Sequence, residues 1–365
     1  MAPEPGVDRE IGQVSRHVGG QADGQADGPA DGLAIEQAVA RARAFLIDAA
    51  AGGFAEARHD MTFPHALGFT GAQERQQGDI FSRAVLGAWM LDIAEARGGD
   101  ATLEGIAAAQ ADHVAAQRLP DCEGGWSYFP GLPELPPDLD TLGATIELFA
   151  RAAPQHLPLC EGPIRLALSQ RAADGSIRTF LIGDGDPAAR RQAMLRGVEL
   201  YWGHTADADA MARFHLGLLR LDPARHAPAA PLDWLAAQQD ADGAWRVPWY
   251  EGAHYGTQLC AALFERLAPD HPAAVKAVHF LAGPPQPPAA ATTNAMTLAL
   301  SGIGAAARAA RASTLAALQE PDGSWAPSPW IRMPMGRPGG AVTRVLTWQS
   351  RTITTALCLR ALVAG

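Results

Sequence analysis

Leu315-Ala316-Ala317-Leu318-Gln319-Glu320-Pro321-Asp322-Gly323-Ser324-Trp325 repeats, at most of its positions, the earlier stretch Leu235-Ala236-Ala237-Gln238-Gln239-Asp240-Ala241-Asp242-Gly243-Ala244-Trp245. A looser copy runs from Gln117 to Trp126 and ends in Gly124-Gly125-Trp126. Each copy closes a helical run with Gln, a polar turn, and Gly beside Trp. Each is followed, after a loop rich in Pro, Gly and aromatic residues, by a second apolar helix: Leu139 to Ala150, Tyr255 to Leu267, and Thr352 to Leu362. Self-similarity of this kind marks a repeat architecture, and its unit is helix, turn, loop, helix.

Fainter copies fill the gaps. Phe45 to Phe54 precedes Asp79 to Ile93, Leu166 to Ile177 precedes Asp207 to Leu221, and Val275 to Leu281 precedes Thr293 to Ile303. The second helices then begin roughly fifty residues apart, the spacing of helical-hairpin repeats. Six hairpins suffice to close a ring. An open array would need polar end caps, and the last helix, Ile353 to Leu359, has none. The expected fold is therefore all-α: a single α/α toroid (α6/α6 barrel) of six helical hairpins over residues 33–365. Residues 1–32, with Ala-Asp-Gly at 22–24, 26–28 and 30–32, hold too little apolar surface to offset ordering entropy and read as a disordered acidic, Gly-rich tail.

Composition narrows the function. The 365 residues are 48% hydrophobic and carry a formal charge of −10, and no cluster of Lys or Arg suits a nucleic-acid surface or a polybasic membrane anchor. No apolar run is long enough to span a bilayer, and Asp8, Arg9 and Glu10 stand where a signal peptide needs an apolar stretch. Cys122, Cys160, Cys260 and Cys358 show neither zinc-ribbon nor disulfide spacing. A cytoplasmic protein is expected, and homo-oligomerisation is compatible with all of this.

In a closed toroid the second helices form the inner wall, with their N-termini at one mouth. Those starts are polar: Asp79 to Ser82, Asp138-Leu139-Asp140-Thr141, Asp207-Ala208-Asp209, Tyr255-Gly256-Thr257, Thr293-Asn294 and Arg351-Thr352. Helix capping explains Asp, Ser, Thr and Asn there. Asp79, Asp209, His254, Tyr255 and Asn294 are nonetheless candidates for contact with a ligand in the cavity. Trp126, Trp245 and Trp325 read as packing residues of the turns.

The Gln-to-Trp turns resemble the QW motifs of squalene-hopene, oxidosqualene and related class II terpene cyclases. Pro136-Pro137-Asp138-Leu139-Asp140-Thr141, following Gly124-Gly125-Trp126-Ser127-Tyr128, resembles the segment bearing that family's Asp-x-Asp-Asp motif. The resemblance implies that Asp140, at the middle position, is the acid that protonates a carbon–carbon double bond or epoxide, with Asp138 as its partner. Thr141 replaces the third Asp, a pattern of some variant class II enzymes that make bicyclic prenyl diphosphates. Squalene-hopene cyclases have two barrels and this chain has one, which favours a substrate smaller than a triterpene. The resemblance implies a small hydrophobic, isoprenoid-like substrate.

The chemistry gives such a pair a reason. An alkene is a poor base, so its acid must stay protonated and aimed; burial and a neighbouring carboxylate raise a carboxyl pKa. The resulting cation needs π faces around it, and Tyr128, Trp202, Trp249, Tyr255, Trp330 and Trp348 lie in or beside the inner loops. Arg332, Arg337 and Arg351 flank the last inner helix, where guanidinium groups suit a diphosphate or carboxylate; solvated surface arginines are the alternative. With a diphosphate, Mg²⁺ is expected, held mostly by phosphate and water. Two rival readings remain: a metal-dependent enzyme using His204, Asp207, Asp209, His215 and His254, as the same toroid serves protein prenyltransferases, and a non-catalytic binding scaffold.

Overall fold

Ala- and Leu-rich runs with strong helix propensity alternate with Gly/Pro turns along the whole chain, and the computed structural model describes residues 29–227, 231–283, 295–301, 305–336 and 342–364. Among them fourteen helices follow in chain order: α1 (Pro29–Ala51), α2 (Ile80–Ala96), α3 (Ala101–Ala116), α4 (Leu139–Ala152), α5 (Glu161–Ser169), α6 (Ala188–Gly197), α7 (Ala208–Leu221), α8 (Pro223–His226), α9 (Leu232–Ala237), α10 (His254–Leu267), α11 (Pro272–Ala282), α12 (Ala295–Leu300), α13 (Ala305–Ala317) and α14 (Arg351–Val363). Six of them, α2, α4, α7, α10, α12 and α14, form an inner ring in which each packs on the next and α14 returns to α2. The helices α1, α3, α5, α9, α11 and α13 precede them one by one as the outer layer. This is the α/α toroid expected from the repeats. Its first helix starts at Pro29, inside the stretch read as a tail.

Each turn is keyed to the next outer helix. Trp245 Nε1 donates to Leu235 O and Trp325 Nε1 to Leu315 O, both at 2.8 Å, so the ring folds back over its own helix end and satisfies a carbonyl there. Gln239 Nε2 bridges Gly243 O (2.9 Å) and Ala273 O of α11 (2.8 Å). Gln319 Nε2 makes the same bridge from Gly323 O (2.9 Å) to Ala38 O of α1 (2.8 Å). The last turn thereby grips the first helix. Gly243 and Gly323 hold φ of +90° and +86°, and a Cβ on either would stand 2.4 Å from Lys276 O or 2.5 Å from Arg41 O. Only glycine meets both conditions.

Two antiparallel hairpins depart from an all-helical reading. β1 (His59–Thr62) pairs with β2 (Arg75–Gly78), and β3 (Ser328–Gly336) with β4 (Val342–Ser350). The second occupies what the sequence reading treats as a Gly/Pro-rich loop. A register shift between Pro329 and Ile331 turns both Trp330 and Ile331 inward, and Met333 and Met335 follow at alternate positions. Tyr250 bridges Ile331, with Glu251 N donating to Trp330 O (2.8 Å) and Arg332 N to Trp249 O (2.7 Å). The hairpin is thus fastened over the mouth where the inner helices begin. Among the described residues no helix is long and apolar enough to cross a membrane, and all four cysteines are buried and unpaired.

Gly323→Ala should destabilise the protein by about 1–3 kcal/mol, from left-handed strain and overpacking against Arg41. Urea denaturation checks it; an unchanged midpoint would show that the ring does not depend on this seat.

Candidate functional site

The first turn of α4 meets α7 unusually closely. A Cβ on Gly143 would lie 2.7 Å from the backbone of Arg213 and Phe214, and one on Gly217 would lie 2.8 Å from Gly143 O. Two glycines therefore let the helices touch along their backbones. That approach brings Asp140, one turn before Gly143, to Arg213, with Nε 2.6 Å from Oδ1. The other carboxylate oxygen accepts from Tyr250 Oη, in a short contact. Arg213 in turn donates through Nη2 to Tyr255 Oη. Neither Arg213 nor Tyr250 figures among the sequence candidates. Arg213 is an ordinary helical cation in one dimension, and Tyr250 acquires its role only because β3 pairs with its backbone.

Asp138 caps α4. Its Oδ1 accepts from Thr141 N (2.7 Å) and its Oδ2 from Thr141 Oγ1 (3.0 Å). Thr141 is buried and its hydroxyl is spent on Asp138, so the residue at the third motif position orients the first. Burial, opposed by the Thr141 bonds and reinforced by the charge of Asp140, pushes Asp138 up to about 7.

Two further carboxyl groups join from the start of α7. Asp207 accepts from Thr179 Oγ1 (2.7 Å) and Trp249 Nε1 (2.7 Å). Asp209 is fully buried, and neither of its oxygens has a hydrogen-bond partner. Burial raises both, and the charges of Asp140 and Asp207 drive Asp209 well above the carboxylate range. Burial also raises Asp140, against the opposing pull of Arg213 and Tyr250. Burial works against the charge of Arg213 too, but the oxygens of Tyr255 and Asp140 outweigh it and the guanidinium remains a cation. Asp138, Asp207 and Asp209 thus interact with Asp140, which alone of the four pairs with Arg213, and in an enclosed site such a surplus of carboxyl groups is relieved by retained protons.

Above the acids lies a cavity of about 50 Å³ walled by Phe81, Tyr128, Phe180, Trp249, Tyr250 and Ile331, with Asp138 and Asp140 in its floor. Trp330 stands behind this wall, stacked on Phe81 at 5.6 Å and beside Trp348 at 6.0 Å. Trp348 stacks on His59 at 5.2 Å. His59 Nδ1 lies 3.0 Å from Tyr128 Oη, and burial lowers this imidazole to about 4, keeping it neutral.

Other expected ligand-contacting residues are turned elsewhere. Asp79 belongs to an ion cluster with Arg83 (2.7 Å) and His113 (3.2 Å), whose hydrogen bonds outweigh burial and hold it at about 2. His254 is buried with its ring on Phe280 of the outer layer, 5.1 Å away. Trp202 packs in a small cluster above the mouth with Phe69 and Phe180. Arg332 faces Glu251 at 3.6 Å, and Arg351 is held by Glu320, Asp322 and Ser324. These acids neutralise the two arginines expected to receive an anionic head group. Asn294 and Arg337 lie outside the described residues. The alternative metal set does not assemble: His204 pairs with Glu199 (3.4 Å), and no group of three or more His, Cys, Asp or Glu among the described residues is placed to hold a metal ion.

No protein-family profile matches this chain, and no curated protein matches it either. Solved structures do. The type II terpene cyclase MstE from Scytonema superposes with a TM-score of 0.66 at 20% identity, over 91% of this chain and 98% of that one. An MstE variant in complex with geranylgeranyl dihydroxybenzoate, its substrate, gives 0.65 at 19% identity over 92% and 97%. A protein from Actinoplanes gives 0.63 at 21% over 90% and 98%. At such identities the shared property is the fold, which is terpene-cyclase-like.

Asp138 titrates near 7 when folded and near 3.8 when unfolded. Between those values the folded state holds more protons, so its contribution is full below about pH 4 and lost as pH rises through 7. Asp138→Asn should flatten the decline in urea midpoint between pH 4 and 7. Equal pH slopes for variant and wild type would remove this assignment.

Proposed function

We propose that the protein is a class II terpene-cyclase-like enzyme in which Asp140 protonates a terminal carbon–carbon double bond of a prenyl chain. The observation that carries the reading is the setting of Asp140: its side chain is 14% exposed, under aromatic walls, with a cation and a phenol on its two oxygens and three more carboxyl groups nearby. A decayed scaffold has no need of such a site, and an acid on an open rim would favour the scaffold reading instead.

Protonating an alkene asks for opposed properties. The acid must hold its proton before substrate arrives, which burial and the surrounding carboxyl groups promote. It must also release that proton, which Arg213 and the Tyr250 hydroxyl promote by stabilising the carboxylate left behind. The proton passes from the Asp140 carboxyl to the terminal alkene carbon, leaving a tertiary carbocation. A neighbouring double bond of the same chain attacks it, closing a ring. Loss of a proton from carbon ends the sequence, so product and substrate are isomers. Phe81, Tyr128, Phe180 and Trp249 offer π faces rather than nucleophiles to the cation.

A one-barrel chain is no obstacle, since this chain covers 98% of MstE. The cavity of about 50 Å³ is small beside the roughly 300–1,000 Å³ of small-ligand sites, so a prenyl chain enters by displacing its apolar walls, among which Met333 is the most adaptable. The pairing of Arg332 and Arg351 with acids favours substrates without a diphosphate at this mouth, such as a prenylated aromatic acid of the kind bound by MstE. Mg²⁺ enters the proposal only as the companion of a diphosphate head group.

Purified protein incubated with geranylgeranyl dihydroxybenzoate, geranylgeranyl diphosphate with Mg²⁺, and undecorated polyenes should convert one of them to a cyclised isomer of unchanged mass. Asp140→Asn should abolish conversion, and Tyr250→Phe should lower kcat by about 10–100-fold with little change in KM. If Asp140→Asn cyclises as well as wild type, the acid assignment fails.

A further inference from the structure

The barrel has a second opening, at the ends of the inner helices opposite the acid cluster. A cavity of about 460 Å³ lies there, reached by side chains from all six inner helices. Six arginines line it, Arg213, Arg220, Arg266, Arg308, Arg311 and Arg360, against three acids, Asp92, Glu147 and Glu265. On a chain of net charge −10, this local excess of cations runs against the composition.

Part of the excess has a structural reason. Arg220, Arg266 and Arg360 stand in the last turns of α7, α10 and α14, where the helix dipole favours a cation. Arg360 pairs with Asp92 at 2.6 Å, Arg220 approaches Glu147 at 3.8 Å, and Arg213 is given to Asp140. The dipole does not account for Arg308 and Arg311, which sit one turn apart in the first half of α13. Among the described residues Arg266, Arg308 and Arg311 have no carboxylate within ion-pair distance. Arg311 Nη2 reaches the carbonyls of Ala282 (3.4 Å) and Gly283 (3.1 Å), while its Nη1 is buried with no acceptor. Burial, helped by the neighbouring charge of Arg220, lowers the pKa of Arg266. A buried N–H without an acceptor and like charges pressed together both cost free energy that a bound anion would offset.

We propose that this cavity binds a diphosphate group through Arg266, Arg308 and Arg311, at the mouth of the barrel opposite Asp140. Guanidinium forks match phosphate oxygens two at a time, and the volume falls in the range of about 300–1,000 Å³ usual for small-ligand sites. Arg213 separates the two cavities, pairing with Asp140 on one side and lining the arginine cavity on the other. Two sources carry this group, a prenyl diphosphate and inorganic pyrophosphate. The site stands independently of the role given to Asp140.

Calorimetric titration of the full chain with inorganic pyrophosphate, farnesyl diphosphate and farnesol tests this. Pyrophosphate should bind the wild type, more weakly as salt rises, and should bind the Arg308→Gln, Arg311→Gln double variant about tenfold or more weakly. Circular dichroism of the variant guards against misfolding, with Arg266→Gln as the substitute if it fails to fold. Tighter binding of farnesyl diphosphate than of pyrophosphate, with none of farnesol, would identify the prenyl diphosphate as the ligand; equal binding of the two would identify pyrophosphate. Absence of binding at millimolar pyrophosphate, or binding unaltered in the folded variants, overturns the proposal.

Discussion

Everything in this molecule depends on the seating of each Gly-x-Trp turn against the outer helix that follows it. At Gly243 and Gly323 the backbone takes a left-handed conformation with the next helix's carbonyl already within touching distance, leaving no room for a side chain. The Gln of the same turn then ties the two helices through one amide. A repeat array with such joints could continue indefinitely. Here Gln319 finds Ala38 of the first outer helix, and the array closes on itself. Closure places the N-termini of the inner helices together at one mouth and their C-termini at the other.

Those two mouths acquire different chemistry from the same geometry. Helix N-termini favour carboxylates, and Asp138 and Asp207 stand at such positions. Helix C-termini favour cations, and Arg151, Arg220, Arg266 and Arg360 stand in the last turns of four inner helices. Arg213 is a buried cation carried to Asp140 by the close approach of α4 and α7 at Gly143 and Gly217. Without that approach Asp140 would lose the charge that stabilises its ionised form. Burial and the neighbouring charge of Asp207 oppose ionisation of Asp140, while Arg213 and the Tyr250 hydroxyl favour it.

The aromatic wall over the acids has a separate origin. β3 adds to the backbone of Trp249 to Glu251, setting Tyr250 over Asp140 and Trp249 against Asp207. The alternation of Ile331, Met333 and Met335 with Arg332 and Pro334 is a strand pattern, readable in principle. Its Pro and Gly content, and the bulge that points both Trp330 and Ile331 inward, hide it among loop signals.

The sequence by itself determined the toroid, because a repeat is a local pattern written several times, and each copy specifies its own helices and turn from residues close along the chain. It also determined that Asp138 and Asp140 share one helix start, since that needs only a spacing of two. What surrounds Asp140 was decided by tertiary structure. Arg213 lies on another helix, and Tyr250 is 110 residues away from Asp140; their convergence depends on two glycines at a helix crossing and on one strand pairing with a loop. The same holds for Asp79 and Arg351, polar residues at the starts of inner helices, and for Arg332 in the middle of β3. Their direction was fixed by the nearest opposite charge in space, which no one-dimensional pattern records.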